Sequence, residues 1–208
     1  MLAVMRTVNP EQHARKRAKI LAAAAGEFAT NGVDGTSTAG ICRRAGIGSG
    51  TLFHYFDSKR AIFHALFSDD VARNAEICAR ALDTTPASAG LDLLVEHFAA
   101  DLANPLTPGL AAAAVLQANR DVEFARLLIA DAERTHHTLS TLLTRMADEG
   151  HQLALPARRA ARWIQQLIDT SYLMSDGPEF DPAVQYRELR QVIAWLTGRD
   201  QRSTRPGE

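Results

Sequence analysis

Apolar residues recur along this chain at intervals of three and four, the spacing of one helix face, and strand-like stretches of alternating polarity are absent. The pattern predicts an all-α protein of about nine helices. Ile20, Ala24 and Phe28 form the stripe of a first helix, expected to start at Asn9-Pro10 with Asn9 as cap and to end at Asn31-Gly32. Two short runs follow, one carrying Ile41 and Ala45, the other Leu52 and Phe56, with Gly46 between them where the chain must turn sharply. A fourth helix is expected from Ser58 to about Leu82, with Ile62, Phe63, Leu66 and Phe67 on its apolar faces. After Thr84-Thr85-Pro86, helices are predicted over roughly 88–103, 108–118, 120–149, 157–175 and 182–197. Pro105, Pro108, Gly150, Pro156, Gly177-Pro178 and Asp181-Pro182 separate them.

The stretch from Thr36 to Arg60 spells helix, turn, helix and the start of another helix. Thr36, Ser37 and Thr38 offer hydroxyls, one to cap the first of these helices while a neighbour reaches a phosphate. Burying Ile41, Ala45, Leu52 and Phe56 leaves Ser49, Thr51, His54 and Tyr55 outside, and each of them can hydrogen-bond. Gly48 and Gly50 begin that face and would let a nucleic-acid backbone come close; the bland alternative is a pair of loop glycines with no contact. Lys59 and Arg60 stand at the next helix start, where free N–H groups and the helix dipole favour an anion. Together they read as a phosphate clamp, although Arg60 alone fits a solvated base equally well.

The run AGIGSGTLFHYFDSKRAIF resembles the signature of TetR-family transcriptional repressors, preceded by a basic amphipathic helix and a Gly-Thr-Ser segment. The similarity is specific from Arg15 to Phe67 and architectural beyond. It implies DNA contacts from Thr38, Ser49, Thr51, His54, Tyr55 and Lys59, with Gly50 in the same set as a point of close backbone approach. Two positions depart from the pattern: Cys42 replaces the usual alanine, and Gly48 stands where serine or threonine is common, which removes a hydroxyl able to meet a phosphate.

Charge supports this reading through its distribution. The whole chain of 208 residues has a net charge of −1, yet residues 1–60 hold nine Lys/Arg against four acids, so a basic segment precedes an acidic remainder. Such a segment binds phosphate by counterion release without making the whole protein a nonspecific polycation. Arg15, Lys16, Arg17 and Lys19 crowd the first helix, as a backbone-tracking arm or as a solvated face. The division expected is a DNA-binding domain over 1–60, an effector-binding and dimerisation domain over 61–198 reached through the fourth helix, and a disordered polar tail over 199–208.

The last two predicted helices carry wide apolar stripes: Trp163, Ile164, Leu167 and Ile168 on one, and Tyr186, Leu189, Ile193 and Leu196 on the other. The resemblance implies that they pair with symmetry mates in a four-helix dimer seam; ordinary core packing within one subunit is the alternative. The family also implies an internal cavity whose small-molecule occupant repositions the fourth helix. Candidate linings are Asn74, His97, Asp101, Gln117 and His137 as polar groups, and Phe67, Phe124, Met146 and Trp163 as apolar walls.

Other classes find less support. Cys42 and Cys78 have no metal-like spacing, and His136 and His137, adjacent on a helix, point about 100° apart, so neither a metal nor any other cofactor is expected. No Walker A loop, H-E-x-x-H or G-x-S-x-G run suggests an enzyme. The absence of a signal-like start or a long apolar run points to the cytoplasm and away from a membrane. The expectation is a homodimeric, ligand-responsive repressor of a palindromic double-stranded DNA operator. The alternatives are an activator, or an architectural DNA binder that answers to no ligand.

Overall fold

The computed structural model describes residues 10–175 and 180–200. The expected cap Asn9, the Gly177-Pro178 break and the tail beyond Asp200 lie outside the described residues. Within them are nine α-helices, one short 3-10 turn and no strand. The helices are α1 (Pro10–Gly35), α2 (Thr38–Ala45), α3 (Ser49–Tyr55), α4 (Lys59–Asp83), α5 (Ala87–Ala100), α6 (Thr107–Ala118), α7 (Val122–Asp148), α8 (Ala157–Leu173) and α9 (Pro182–Leu196). The 3-10 turn, Asp101–Ala103, follows α5.

Local chemistry places most of these boundaries. Side-chain caps accept backbone N–H groups at the starts of α2 (Ser37), α4 (Ser58), α7 (Asp121) and α9 (Asp181). Near its end α1 loses helical geometry at Gly32, whose φ is 65°, and one further turn follows before Thr36. The predicted stop at Asn31-Gly32 is therefore a kink followed by a last turn.

Two apolar cores share the chain. The first joins Ile20, Leu21, Ala24 and Phe28 of α1 to Ile41 and Ala45 of α2, Leu52 of α3, Phe56, and Ile62 and Phe63 of α4. Ala113 and Ala114 of α6 and Phe124 of α7 complete it, so the amino-terminal head closes only against later helices. Phe63 stands at its centre, edge-on to Phe28 at 4.9 Å and 5.0 Å from Phe124 between ring centroids. Truncating such a fully buried ring costs about 3–5 kcal/mol. The second core gathers Ile77, Cys78 and Ala81 of α4 with the apolar faces of α5, α7, α8 and α9. The helix α4 thus starts in one core and ends in the other. Close helix approaches tighten both: a Cβ on Gly109 would fall 2.2 Å from the Ala29 carbonyl oxygen, and one on Gly90 2.3 Å from that of Ala81.

This packing takes up most of the two stripes expected to form a seam. Ile164, Ile168, Leu189, Ile193 and Leu196 are all buried inside the chain's own second core, and Leu167 and Tyr186 pack half-buried against it. Periodicity alone does not separate a stripe that fills a subunit from one that faces a partner. Of the expected seam residues Trp163 is left outside (51% exposed), and Leu173, Val192 and Trp195 (59% exposed) are exposed on the same two helices.

Candidate nucleic-acid interface

The turn between α2 and α3 is built by short-range chemistry. Ser37 Oγ accepts the Gly40 N–H at 3.0 Å and caps α2. Gly46 closes the helix in the left-handed region, φ 63° and ψ 41°, and the Ile47 N–H returns to the Cys42 carbonyl at 3.0 Å. A residue with a Cβ would be strained at Gly46. Of the three neighbouring hydroxyls, Thr36 is internal: it is buried and donates to the Gly32 carbonyl at 2.7 Å. Ser37 is the cap, which leaves the half-buried Thr38 as the hydroxyl not committed to the fold.

Burial of Leu52 and Phe56 fixes which way α3 faces. Ser49, Gly50, Phe53 and His54 are exposed, while Thr51 and Tyr55 are half-buried at its flank. Neither Gly48 nor Gly50 has a positive φ, and a Cβ on either would meet nothing within 4 Å. Neither the turn nor the packing requires these two glycines. Glycine inside a helix costs about 1 kcal/mol relative to alanine, and no contact within the fold offsets that cost at Gly50. Three rings meet at the edge of this face: His13 of α1 lies 4.4 Å from Tyr55, and His54 stands edge-on to Tyr55 at 5.4 Å. His13 is a neighbour that the sequence did not single out, because its contact comes from a different helix.

The basic groups divide into exposed and committed ones. Arg15, Lys16 and Lys19 are exposed along α1. Arg17 instead forks onto Asp69 of α4, at 2.6 and 3.0 Å, and lies over the Phe56 ring. Lys59 Nζ donates to the carbonyls of Thr36 at 2.7 Å and Asp34 at 3.3 Å, tying α4 to the loop before α2 and leaving one N–H of the three. Arg60 is not the solvated base that its sequence context allowed. Its guanidinium donates to both oxygens of Asp121, at 2.7 and 2.8 Å, and to Glu123 at 2.7 Å. Asp121 also meets His64 Nε2 at 2.7 Å and accepts from the Phe124 N–H at 3.1 Å. The Arg60 hydrogen bonds foremost, then those from His64 and Phe124, hold the Asp121 carboxyl well below the usual carboxylate range, against the opposing effect of burial. Arg60 and Asp121 are thus a joint between head and body.

The candidate cavity residues are not brought to one place. Phe124 and Met146 are fully buried in different cores, and Phe67 packs against Phe63 and Phe124 in the first. Gln117 donates to Asp121, and His137 is exposed. Trp163 lines an open surface cleft of about 430 Å³ with His136, Arg158, Arg159, Arg162 and Gln166. Among the polar candidates, Asn74, His97 and Asp101 share a neighbourhood. Asn74 Oδ1 is 2.9 Å from His97 Nε2, its Nδ2 donates to Asp131 at 2.7 Å, and the Tyr172 hydroxyl donates to the Phe98 carbonyl at 2.8 Å nearby. Burial pushes Asp131 and Asp101 upward and His97 downward, and carries Asp70 and Asp169 to about 6. Among the described residues no group of three or more His, Cys, Asp or Glu side chains is placed to hold a metal ion, and no helix is long and apolar enough to cross a membrane.

Comparison with known proteins places this architecture. Residues 20–66, from Ile20 of α1 to Leu66 of α4, match the model of the bacterial regulatory proteins, tetR family. No curated protein matches the chain in sequence. Its fold is shared with a TetR-family transcriptional regulator from Agrobacterium tumefaciens, at 20% identity and a TM-score of 0.71 over 91% of this chain and 100% of that one. FadR of Bacillus subtilis, solved in complex with stearoyl-CoA, is 21% identical with a TM-score of 0.65, covering 87% and 98% of the two chains. The ketosteroid transcriptional regulator KstR2 of Mycobacterium tuberculosis is 22% identical with a TM-score of 0.70, covering 87% and 94%. The helix-turn-helix thus matches the tetR-family model, and the fold around it is the one that solved TetR-family regulators share.

Proposed function

We propose that this protein is a TetR-family transcriptional regulator, a homodimeric repressor that binds a palindromic operator through α3 and is released by a small-molecule inducer. The observation that carries the DNA-facing part is the outward side of α3, where Gly48 and Gly50 serve no need of the fold and polar side chains surround them. Thr38, Ser49, Gly50, Thr51, His54 and Tyr55 make up the proposed contact set, and Lys59 joins it with its remaining N–H directed to a phosphate. The exposed bases of α1 flank the same end of the molecule.

Exposed Trp163 and Trp195 on the last two helices support self-association, since large apolar side chains left on a surface gain by burial against a partner. Two heads in a symmetric dimer would meet successive major grooves about 34–36 Å apart. The half-buried Asn74 and His97, with Asp101 exposed beside them, support an effector site in the body, and the FadR structure of the same fold holds a small molecule. An inducer acts only by favouring the conformation that does not bind DNA, with a coupling of about 1–3 kcal/mol.

Selection of bound fragments from random duplex DNA tests the reading. A recovered site with dyad symmetry is the expected outcome. Recovery of fragments without a shared sequence would leave an architectural DNA binder instead.

A further inference from the structure

The cleft between α7 and α8, about 430 Å³ in volume, is lined by His136, Arg158, Arg159, Arg162, Trp163 and Gln166. The three arginines are exposed, and no carboxylate is among the lining residues. Among the described residues, none of the three takes part in an ion pair.

Their placement runs against the electrostatics of their own helix. Arg158 and Arg159 lie in the first turn of α8, at the positive end of its dipole, where acidic side chains are favoured and none is present. Pro156 caps that end without a side-chain hydrogen bond. Arg158 and Arg162 are four apart on the helix, so they share a side and repel. His136, across the cleft on α7, is held below its ordinary value by burial foremost and then by the charges of Arg162 and Arg158. Nothing in the lining offsets this positive charge. A guanidinium offers a planar fork of N–H donors that fits a phosphate, and the free N–H groups of a helix start favour the same charge. With Trp163 the one apolar side chain among the six, the cleft suits a small oxyanion better than an apolar molecule.

Trp163 is also one of the exposed groups that support self-association. A symmetric pair brings the same surface of both copies together, so covering the indoles would draw two sets of three arginines towards each other. Like charges juxtaposed across an interface oppose it.

We propose that the α7–α8 cleft binds a phosphate group, free or esterified, and that this anion strengthens self-association by neutralising arginines that meet across the seam. The proposal rests on the reading that the chain pairs through Trp163 and Trp195, and adds an anion site and a control to it.

Sedimentation equilibrium of the full-length protein in sodium chloride, with and without pyrophosphate at matched ionic strength, tests it. Pyrophosphate is expected to tighten the dimer about ten-fold, the effect of a ligand at roughly ten times its dissociation constant for the paired state. The double variant Arg158→Gln with Arg162→Gln, at exposed positions, is expected to pair more tightly than wild type in chloride and to ignore pyrophosphate. Adenosine diphosphate in place of pyrophosphate separates the sources: a larger effect at equal concentration assigns an esterified phosphate with a ring against Trp163, an equal one the free anion. A wild-type dimer constant that is the same with and without pyrophosphate overturns the proposal. So does a double variant that responds as wild type does, the sign of a general salt effect. A wild-type chain that stays monomeric in every solution sinks the self-association reading itself, an outcome distinct from both.

Discussion

Arg60 grips Asp121 through two parallel hydrogen bonds, Nε to Oδ2 at 2.7 Å and Nη2 to Oδ1 at 2.8 Å, and so joins the first turn of α4 to the cap of α7. The same carboxylate holds His64 one turn further along α4. Movement of the body against α4 therefore meets a bidentate ionic contact directly beside the helix-turn-helix.

The Asp121 carboxyl is more acidic in the folded protein than in the unfolded chain, where its pKa is about 3.9. Its stabilisation is present at neutral pH and is lost as pH falls below that value. Asp121→Asn is expected to lower the unfolding temperature by several degrees at pH 7. The gap to wild type should narrow as pH drops below about 4. Thermal unfolding across pH 2–7 checks this; a gap of constant width would assign the loss to packing alone.

Gly50→Ala separates the needs of the fold from those of DNA binding. The added methyl meets open space, so the head should gain about 0.5–1 kcal/mol from helix propensity. Operator affinity should fall about ten-fold or more as the closest approach is blocked. Chemical denaturation paired with fluorescence anisotropy measures both, and unchanged affinity would remove the close-approach role.

Lys59→Ala should act on two quantities. Losing a phosphate contact would reduce the salt slope of DNA binding by about one and weaken all fragments alike. Losing the hydrogen bonds to Thr36 and Asp34 should also lower the unfolding temperature. A variant with reduced stability and an unchanged salt slope would leave Lys59 a structural tie only.

Asp169 carries the opposite sign. Burial, with nearby Asp131, raises it to about 6 in the fold, so the stability it contributes is present below pH 4 and is lost as pH rises through 6. Asp169→Asn should raise the unfolding temperature by about 1–3 °C at pH 7, allowing for solvent screening, and by nothing at pH 4. Equal effects at the two pH values would contradict the assigned titration.

The helix-turn-helix was legible because its determinants are local. Ser37, Gly46 and Ser58 act within three or four residues of their own position, and the apolar pairs Ile41/Ala45 and Leu52/Phe56 set the inward face by spacing alone. Arg60 was not legible, since its partner lies 61 positions away and nothing in the local run distinguishes a solvated guanidinium from a forked one. The two stripes of α8 and α9 were ambiguous for a related reason. Ile164 and Leu189 show the same periodicity whether they face their own core or a second subunit, and exposure of Trp163 and Trp195 emerges only when the body is packed. The exposure of Phe53 was legible in the sequence: with Leu52 turned inward, the next residue of the helix must turn out.

The central claim, that the outer side of α3 reads duplex DNA, is tested most directly by anisotropy titration of one selected fragment and its scrambled version at fixed salt, with wild type and Thr51→Ala. Wild type is predicted to prefer the selected fragment by about a thousand-fold or more. Thr51→Ala should lose about ten-fold on that fragment and little on the scrambled one. Equal affinity of the wild-type protein for both fragments would contradict the account.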